Sequence, residues 1–145
     1  MEGTNPAIDT TSDRLIKEIG LRTFADRYLD QNEEREVIQI ASQLGTQAEP
    51  ALGIIDKACR DSGIVREVTV REAIRNRLSA LPGKIDRDGF EKTVASTFPT
   101  VNQALTEREV RRLVVAIMEE TKRSNVKHGW FSNWYADQKR ELGVV

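Results

Sequence analysis

The stretch "TEREVRRLVVAIMEE", Thr106 to Glu120, decides the fold class. Val110, Leu113, Val114, Ile117 and Met118 recur at intervals of three and four, which puts them on one face of a helix with the charges turned away. Thr106 followed three residues later by Glu109 is a capping box. The hydroxyl satisfies a free N–H of the first turn, and the carboxylate reaches back to the backbone of the cap. Lys122 and Arg123 come next, where cations suit the negative end of a helix.

The same pattern extends upstream. Thr69 with Glu72 precedes Val70, Ile74, Leu78 and Leu81, and Pro82-Gly83 ends that run. Asp88 with Glu91 precedes Phe90, Val94 and Phe98, with Pro99 as the stop. Pro50 suits the first turn of a helix through Leu52, Ile55, Ala58 and Cys59. Glu33, Glu34 and Glu36 open another, with Val37, Ile38, Ala41 and Leu44 on its apolar face and Gly45 as its left-handed stop. Thr11 or Ser12 caps a first helix whose apolar positions are Leu15, Ile16, Ile19, Phe24, Tyr28 and Leu29. Only Gly63 to Val70 alternates like a strand, and one short strand has no partner. The expected fold is all-α: a compact single-domain bundle of six to seven short helices over residues 11–145, behind a flexible tail of residues 1–10.

With 145 residues the chain can bury roughly two-thirds of its unfolded surface without disulfides or metals. An apolar content of 39% beside 31% charge is that of a water-soluble globular protein. No apolar run reaches the roughly 20 residues that span a bilayer, and "MEGTNPAIDTTSD" lacks the basic start and apolar stretch of a signal peptide. The lone Cys59 has no intramolecular disulfide partner. The cytoplasm is the expected compartment, with no role at a membrane.

The net charge of −1 hides a gradient. Residues 1–60 carry seven basic and eleven acidic side chains, residues 61–120 ten of each, and residues 121–145 five basic and two acidic. The C-terminal end is thus the cationic one, with an excess smaller than nucleic-acid-binding domains usually show.

Two motifs have a bland and a sharp reading. "KIDRDGFEKTVA" resembles a calcium loop around Gly89, but Lys84 and Ala95 stand where the first and last carboxylates belong. A helix start with capping acids is expected instead, and no metal site. Val37 to Asp56 is arranged like a helix-turn-helix, yet its second helix carries Glu49 and no nearby cation, which a duplex would repel. A plain helical hairpin of the core is expected there. One histidine and one cysteine exclude a Cys/His zinc cluster, and no glycine-rich phosphate loop occurs. Cys59 sits on an apolar helix face, and His128 beside Lys127 and Gly129 is expected to be exposed. No catalytic residue and no cofactor is assigned, and the protein is not read as an enzyme.

The sharpest functional signal is "GWFSNWYADQKREL", Gly129 to Leu142, which concentrates Trp130, Phe131, Trp134 and Tyr135 in six positions. On a helix spanning about 128–142, these residues with Gln138 and Leu142 make one broad apolar stripe. The stripe either closes the core or binds a partner, since Trp, Tyr and Arg dominate interface hot spots. The candidate partner-binding residues are Trp130, Trp134, Tyr135, Lys122, Arg123, Lys127, Lys139 and Arg140. The expected role is a small non-enzymatic helical binding or regulatory module acting through protein–protein contacts. The alternative is a nucleic-acid-binding protein using the basic, aromatic residues 108–140, with bases stacked on the rings and phosphates on the cations. An enzyme with a carboxylate-based site, such as Asp86 and Asp88, ranks third.

Overall fold

The computed structural model describes residues 6–130 and 132–144, with side chains from Thr11 onward. Phe131 and residues 1–5 of the expected tail lie outside the described residues. The fold is all-α, with seven α-helices among the described residues and one two-stranded sheet. The elements run α1 (Pro6–Thr23), β1 (Tyr28–Leu29), α2 (Gln31–Gln43), α3 (Ala48–Ser62), β2 (Val65–Arg66), α4 (Glu67–Ser79), α5 (Arg87–Thr97), a 3₁₀ turn (Phe98–Val101), α6 (Glu107–Glu120) and α7 (Trp134–Glu141). Residues 6–10, expected in the tail, are the first turns of α1. The chain forms two compact units, one ending at Val68 and the other beginning at Thr69.

In the N-terminal unit α1 stops at Thr23, short of the expected helix end at Leu29. The Arg27 N–H donates to Thr23 O at 2.7 Å, and Arg27 takes a left-handed φ of 56°, which turns the chain out of the helix. Phe24, expected on the core face, stands nine residues after buried Leu15, half a turn round the helix from it, and is 84% exposed. Tyr28 and Leu29 instead form β1, which pairs in parallel with β2 in the register Tyr28↔Val65 and Leu29↔Arg66. The strand signal at Gly63–Val70 therefore does have a partner, and the α2–α3 hairpin is the crossover that parallel pairing requires. Two residues are too short to show a period of two, so β1 carries no pattern of its own.

Asp30 caps α2 in a full capping box with Glu33, and Gly63 ends α3 in the left-handed conformation. The chain passes from β2 straight into α4 at Glu67, so Thr69 lies inside the helix and does not cap it. Leu15, Ile19, Leu29, Val37, Ala41, Ala51, Ile55 and Cys59 form one core cluster. Burial pushes the Cys59 thiol up to about 11, which leaves it an inert apolar group at neutral pH.

Beside this core lies a nearly buried ion pair. Arg66 donates through Nε and Nη2 to the two oxygens of Glu34, at 2.8 and 2.7 Å, with Asp56 Oδ1 at 3.3 Å from Nη1. The pair ties β2 to α2 and α3. The bonds to Glu34 hold the Arg66 guanidinium even further toward its charged form.

In the C-terminal unit the Thr106–Glu109 capping box starts α6 as its sequence implies. Val115, outside the expected stripe, is fully buried with Val110, Val114, Ile117 and Met118, whereas Leu113 is only half-buried. The cap of α5 is Asp86, not Asp88. Its Oδ1 accepts from Gly89 N–H at 2.8 Å, while Asp88 pairs with Lys92 at 3.1 Å. A Cβ on Gly89 would come within 3.1 Å of Leu81 Cδ1 and 3.2 Å of Asp86 Oδ1. The glycine of the calcium-like loop thus serves close packing of a helix start.

Arg66→Met leaves the Glu34 carboxylate buried without its cation and should cost about 3–5 kcal/mol in urea unfolding. Adding Glu34→Leu should recover most of that loss, because two apolar groups then replace a pair whose desolvation already offsets much of its attraction. Equal destabilisation in the single and double variants would refute this account.

Candidate binding surface

The segment after α6 takes its course from one arginine. Thr121 ends the helix, Lys122 adopts a left-handed φ of 60°, and the Arg123 N–H donates to Met118 O at 2.7 Å. The Arg123 guanidinium then donates to Leu78 O and Leu81 O at 3.0 Å each and to Gly83 O at 2.8 Å. These are carbonyls at and beyond the end of α4. The cation therefore serves the negative end of α4 rather than that of α6, where the sequence places it. Further along, the Lys127 N–H donates to Ile85 O at 2.8 Å, and the Trp134 indole Nε1 donates to Lys127 O at 2.9 Å. The chain is stitched to its own unit at Arg123, Lys127 and Trp134, leaving no helix between Lys122 and Trp130.

The expected aromatic helix of about 128–142 forms only from Trp134 to Glu141. Trp134 and Tyr135 are buried, at 4% and 6% exposure, whereas Trp130 is 90% exposed in the preceding turn. Trp130 and Trp134 therefore do not share a helical stripe. The Trp134 ring lies 5.4 Å from those of both Phe90 and Tyr135. Leu142 is buried with them, and Gln138 accepts from Arg111 Nη1 at 3.3 Å. Arg111 also makes a two-pronged pair with Glu91, at 2.9 and 2.7 Å, with its guanidinium carbon 5.9 Å from the Phe90 ring centre. Its bonds to Glu91 hold the Glu91 carboxyl below the ordinary value.

Two open clefts flank residues 124–133. One, of about 530 Å³, lies against α7 and the end of α6, with Glu119, Ser124, Tyr135, Lys139 and Arg140 among its walls. The other, of about 360 Å³, has Trp134 on its lining together with Asp86, Arg87, Lys127 and Ser132. His128 lines both clefts and is exposed. Inside the larger cleft the Tyr135 hydroxyl donates to Glu119 Oε2 at 2.7 Å. Lys139 Nζ lies 3.7 Å from the same oxygen and 5.6 Å from the Tyr135 ring centre. Burial first, and then the bond to the Glu119 carboxylate, push the Tyr135 phenol well above its ordinary value. It is a fixed hydrogen-bond donor, with no basic character at neutral pH.

The candidate residues fall into two groups. Trp134, Tyr135, Arg123 and Lys139 hold the fold of this unit, and Arg140 pairs with Asp137. Trp130, Lys122 and Lys127 are exposed, and the two lysines make no ion pair among the described residues. Glu119, Ser124 and Asn133 line the larger cleft without any sequence signal, because only the fold brings the end of α6 beside α7. Among the described residues no group of three or more His, Cys, Asp and Glu side chains is placed to hold a metal ion. No helix among them is long and apolar enough to cross a membrane. Comparison with protein-family models, curated proteins and solved structures yields no match for this chain.

Trp134→Ala should cost about 3–5 kcal/mol, as other large buried truncations do. Trp130→Ala should change stability by no more than about 0.5 kcal/mol. Urea denaturation of the two variants checks this directly, and a large loss on truncating Trp130 would move that residue into the core.

The Tyr135 phenol generates a pH dependence. Its folded value is raised above the unfolded value of 10.0, so its contribution is fully present below about pH 10 and is lost as pH rises further. Unfolding free energies at about pH 8 and about pH 10.5 should therefore converge more in Tyr135→Phe than in the unsubstituted protein. An identical alkaline loss in both would refute the assignment.

Proposed function

We propose that the protein is a small, non-enzymatic binding module of the cytoplasm that engages a partner protein through the surface around Trp130. The observation that carries this reading is the contrast between the two tryptophans: Trp134 is packed away and Trp130 is 90% exposed. An indole this exposed gives up most of the gain its burial would bring, and tryptophan is the residue most enriched at interface hot spots. Trp130 directly follows Lys127, His128 and Gly129, so a polar rim borders an apolar anchor, which is the usual make-up of a protein interface.

The fate of the cations favours a protein partner over nucleic acid. Arg123 is committed to backbone carbonyls, Arg111 to Glu91, Lys139 to Glu119 and Arg140 to Asp137. Arg108 donates to Glu141 O, and Arg112, Lys122 and Lys127 remain, too few to neutralise the phosphates that a tight, salt-dependent complex engages. An enzymatic role finds little support in the same groups. The Cys59 thiol is buried, the Tyr135 phenol is bound to Glu119, and His128 has no hydrogen-bond partner among the described residues to orient it.

Two binding assays separate the readings. With a photo-cross-linker on an exposed position such as Asn125, Trp130→Ala should abolish one discrete protein adduct while leaving the melting temperature unchanged. Lys122→Gln with Lys127→Gln should reduce that adduct only slightly. Fluorescence anisotropy with labelled single- and double-stranded oligonucleotides should show no binding at physiological salt. Oligonucleotide binding that the lysine substitutions weaken, together with its salt dependence, would establish the nucleic-acid reading instead.

A further inference from the structure

We infer that the partner engaged at Trp130 is a protein segment carrying a carboxylate side chain beside an apolar one, with Arg87 and Lys127 of the smaller cleft receiving the acid. This rests on the reading of Trp130 as a protein-binding anchor and names the chemistry of what it binds. Gly129 and Ser132 line that cleft, and the Ser132 N–H donates to Gly129 O at 3.2 Å. The turn so closed carries Trp130, which places this exposed residue at the rim of the cleft.

The charged walls of the cleft are unevenly answered. Its two acids have partners. Asp88 pairs with Lys92 at 3.1 Å, and Asp86 Oδ1 accepts from the Gly89 N–H at 2.8 Å, at the positive end of α5. Its two cations, Arg87 and Lys127, are exposed and make no ion pair or side-chain hydrogen bond among the described residues. Arg87 acts on Glu91 only through space, since Arg111 already binds both oxygens of that carboxylate. Lys127 is held by its backbone alone, through its N–H on Ile85 O and its carbonyl on the Trp134 indole, which leaves the ammonium uncommitted. Exposed Lys84 adds to the positive field, standing between Gly83 and Ile85, whose carbonyls hold Arg123 and Lys127. The larger cleft differs, because its Lys139 and Arg140 already face Glu119 and Asp137.

An acidic protein segment suits this arrangement better than a phosphate backbone or a lipid surface. A nucleic-acid backbone carries charge at every step and cannot avoid Asp86 and Asp88. An anionic headgroup layer is broad and would press on the same two acids. A peptide offers a few separate carboxylates, which its side-chain torsions can aim at the cations alone. The Arg87 guanidinium can take one of them through two parallel bonds. Exposed charge pairs of this kind select the partner and speed its arrival, while burial of the indole supplies most of the affinity.

Selection of random short peptides displayed on phage, with the folded full chain as bait, tests this. The enriched peptides should carry Asp or Glu beside an aromatic or aliphatic residue, and their binding should weaken as salt rises. Arg87→Gln with Lys127→Gln should weaken a selected peptide at least about tenfold and erase the acidic preference, with the melting temperature retained. Trp130→Ala should abolish binding of the same peptide. Arg112→Gln with Arg140→Gln, which changes cations outside this cleft, should alter neither affinity nor preference. Neutral or basic peptides that depend on Trp130, or acidic ones indifferent to Arg87 and Lys127, overturn this inference and leave the anchor reading standing. Displacement of the selected peptide by an equal concentration of single-stranded oligonucleotide or phosphatidylserine vesicles also overturns it, assigning the cations to phosphate. A selection that yields no Trp130-dependent peptide overturns both readings.

Discussion

The three bonds from the Arg123 guanidinium to Leu78 O, Leu81 O and Gly83 O set the layout of the C-terminal unit. Carbonyls at the end of a helix have no partner within it and carry its negative pole. A planar group with five donors can satisfy several of them at once. By answering those of α4, Arg123 holds the chain that leaves α6 and prevents it from winding on as a helix. Lys127 and the Trp134 indole then fasten the same segment at two further points. The clefts on either side of residues 124–133, and the exposure of Trp130, are consequences of that path.

The N-terminal unit is organised by a comparable device. Arg66 enters from a two-residue strand and meets Glu34 and Asp56, so one cation links β2, α2 and α3. Short strands such as β1 and β2 contribute few backbone bonds, and the ion pair supplies a directional contact that apolar packing lacks. The helical hairpin between them serves as a crossover. Glu49, which argued against DNA reading, is exposed at the start of α3.

Composition grouped the aromatics of residues 130–135 as one feature, and the structure separates Trp130 from Trp134 and Tyr135. Trp134 and Tyr135 join Phe90 in the core, with every polar atom answered: the indole by Lys127 O and the phenol by Glu119. Trp130, four residues earlier, remains at the surface. A shared helical face requires both residues to lie on one helix, and α7 begins only at Trp134. The basic residues divide likewise. A surplus of cations in the last 25 residues does not make a cationic face when most of them answer carbonyls and carboxylates of their own unit.

What the sequence determined by itself was local. The all-α class, the capping box at Thr106–Glu109, the stop at Gly45 and the burial of Cys59 all follow from periodicity and caps, whose partners lie within a few residues. Tertiary structure alone decided the partner strand of β2, the end of α1 at Thr23, the choice of Asp86 over Asp88 as a cap, and which tryptophan faces water. Each of these depends on a group distant in sequence, or on a clash or bond available only once neighbouring elements are in place. Arg123 is the plainest case: its charge and position fit the end of α6 locally, and carbonyls more than forty residues upstream outcompete that end once the chain is folded.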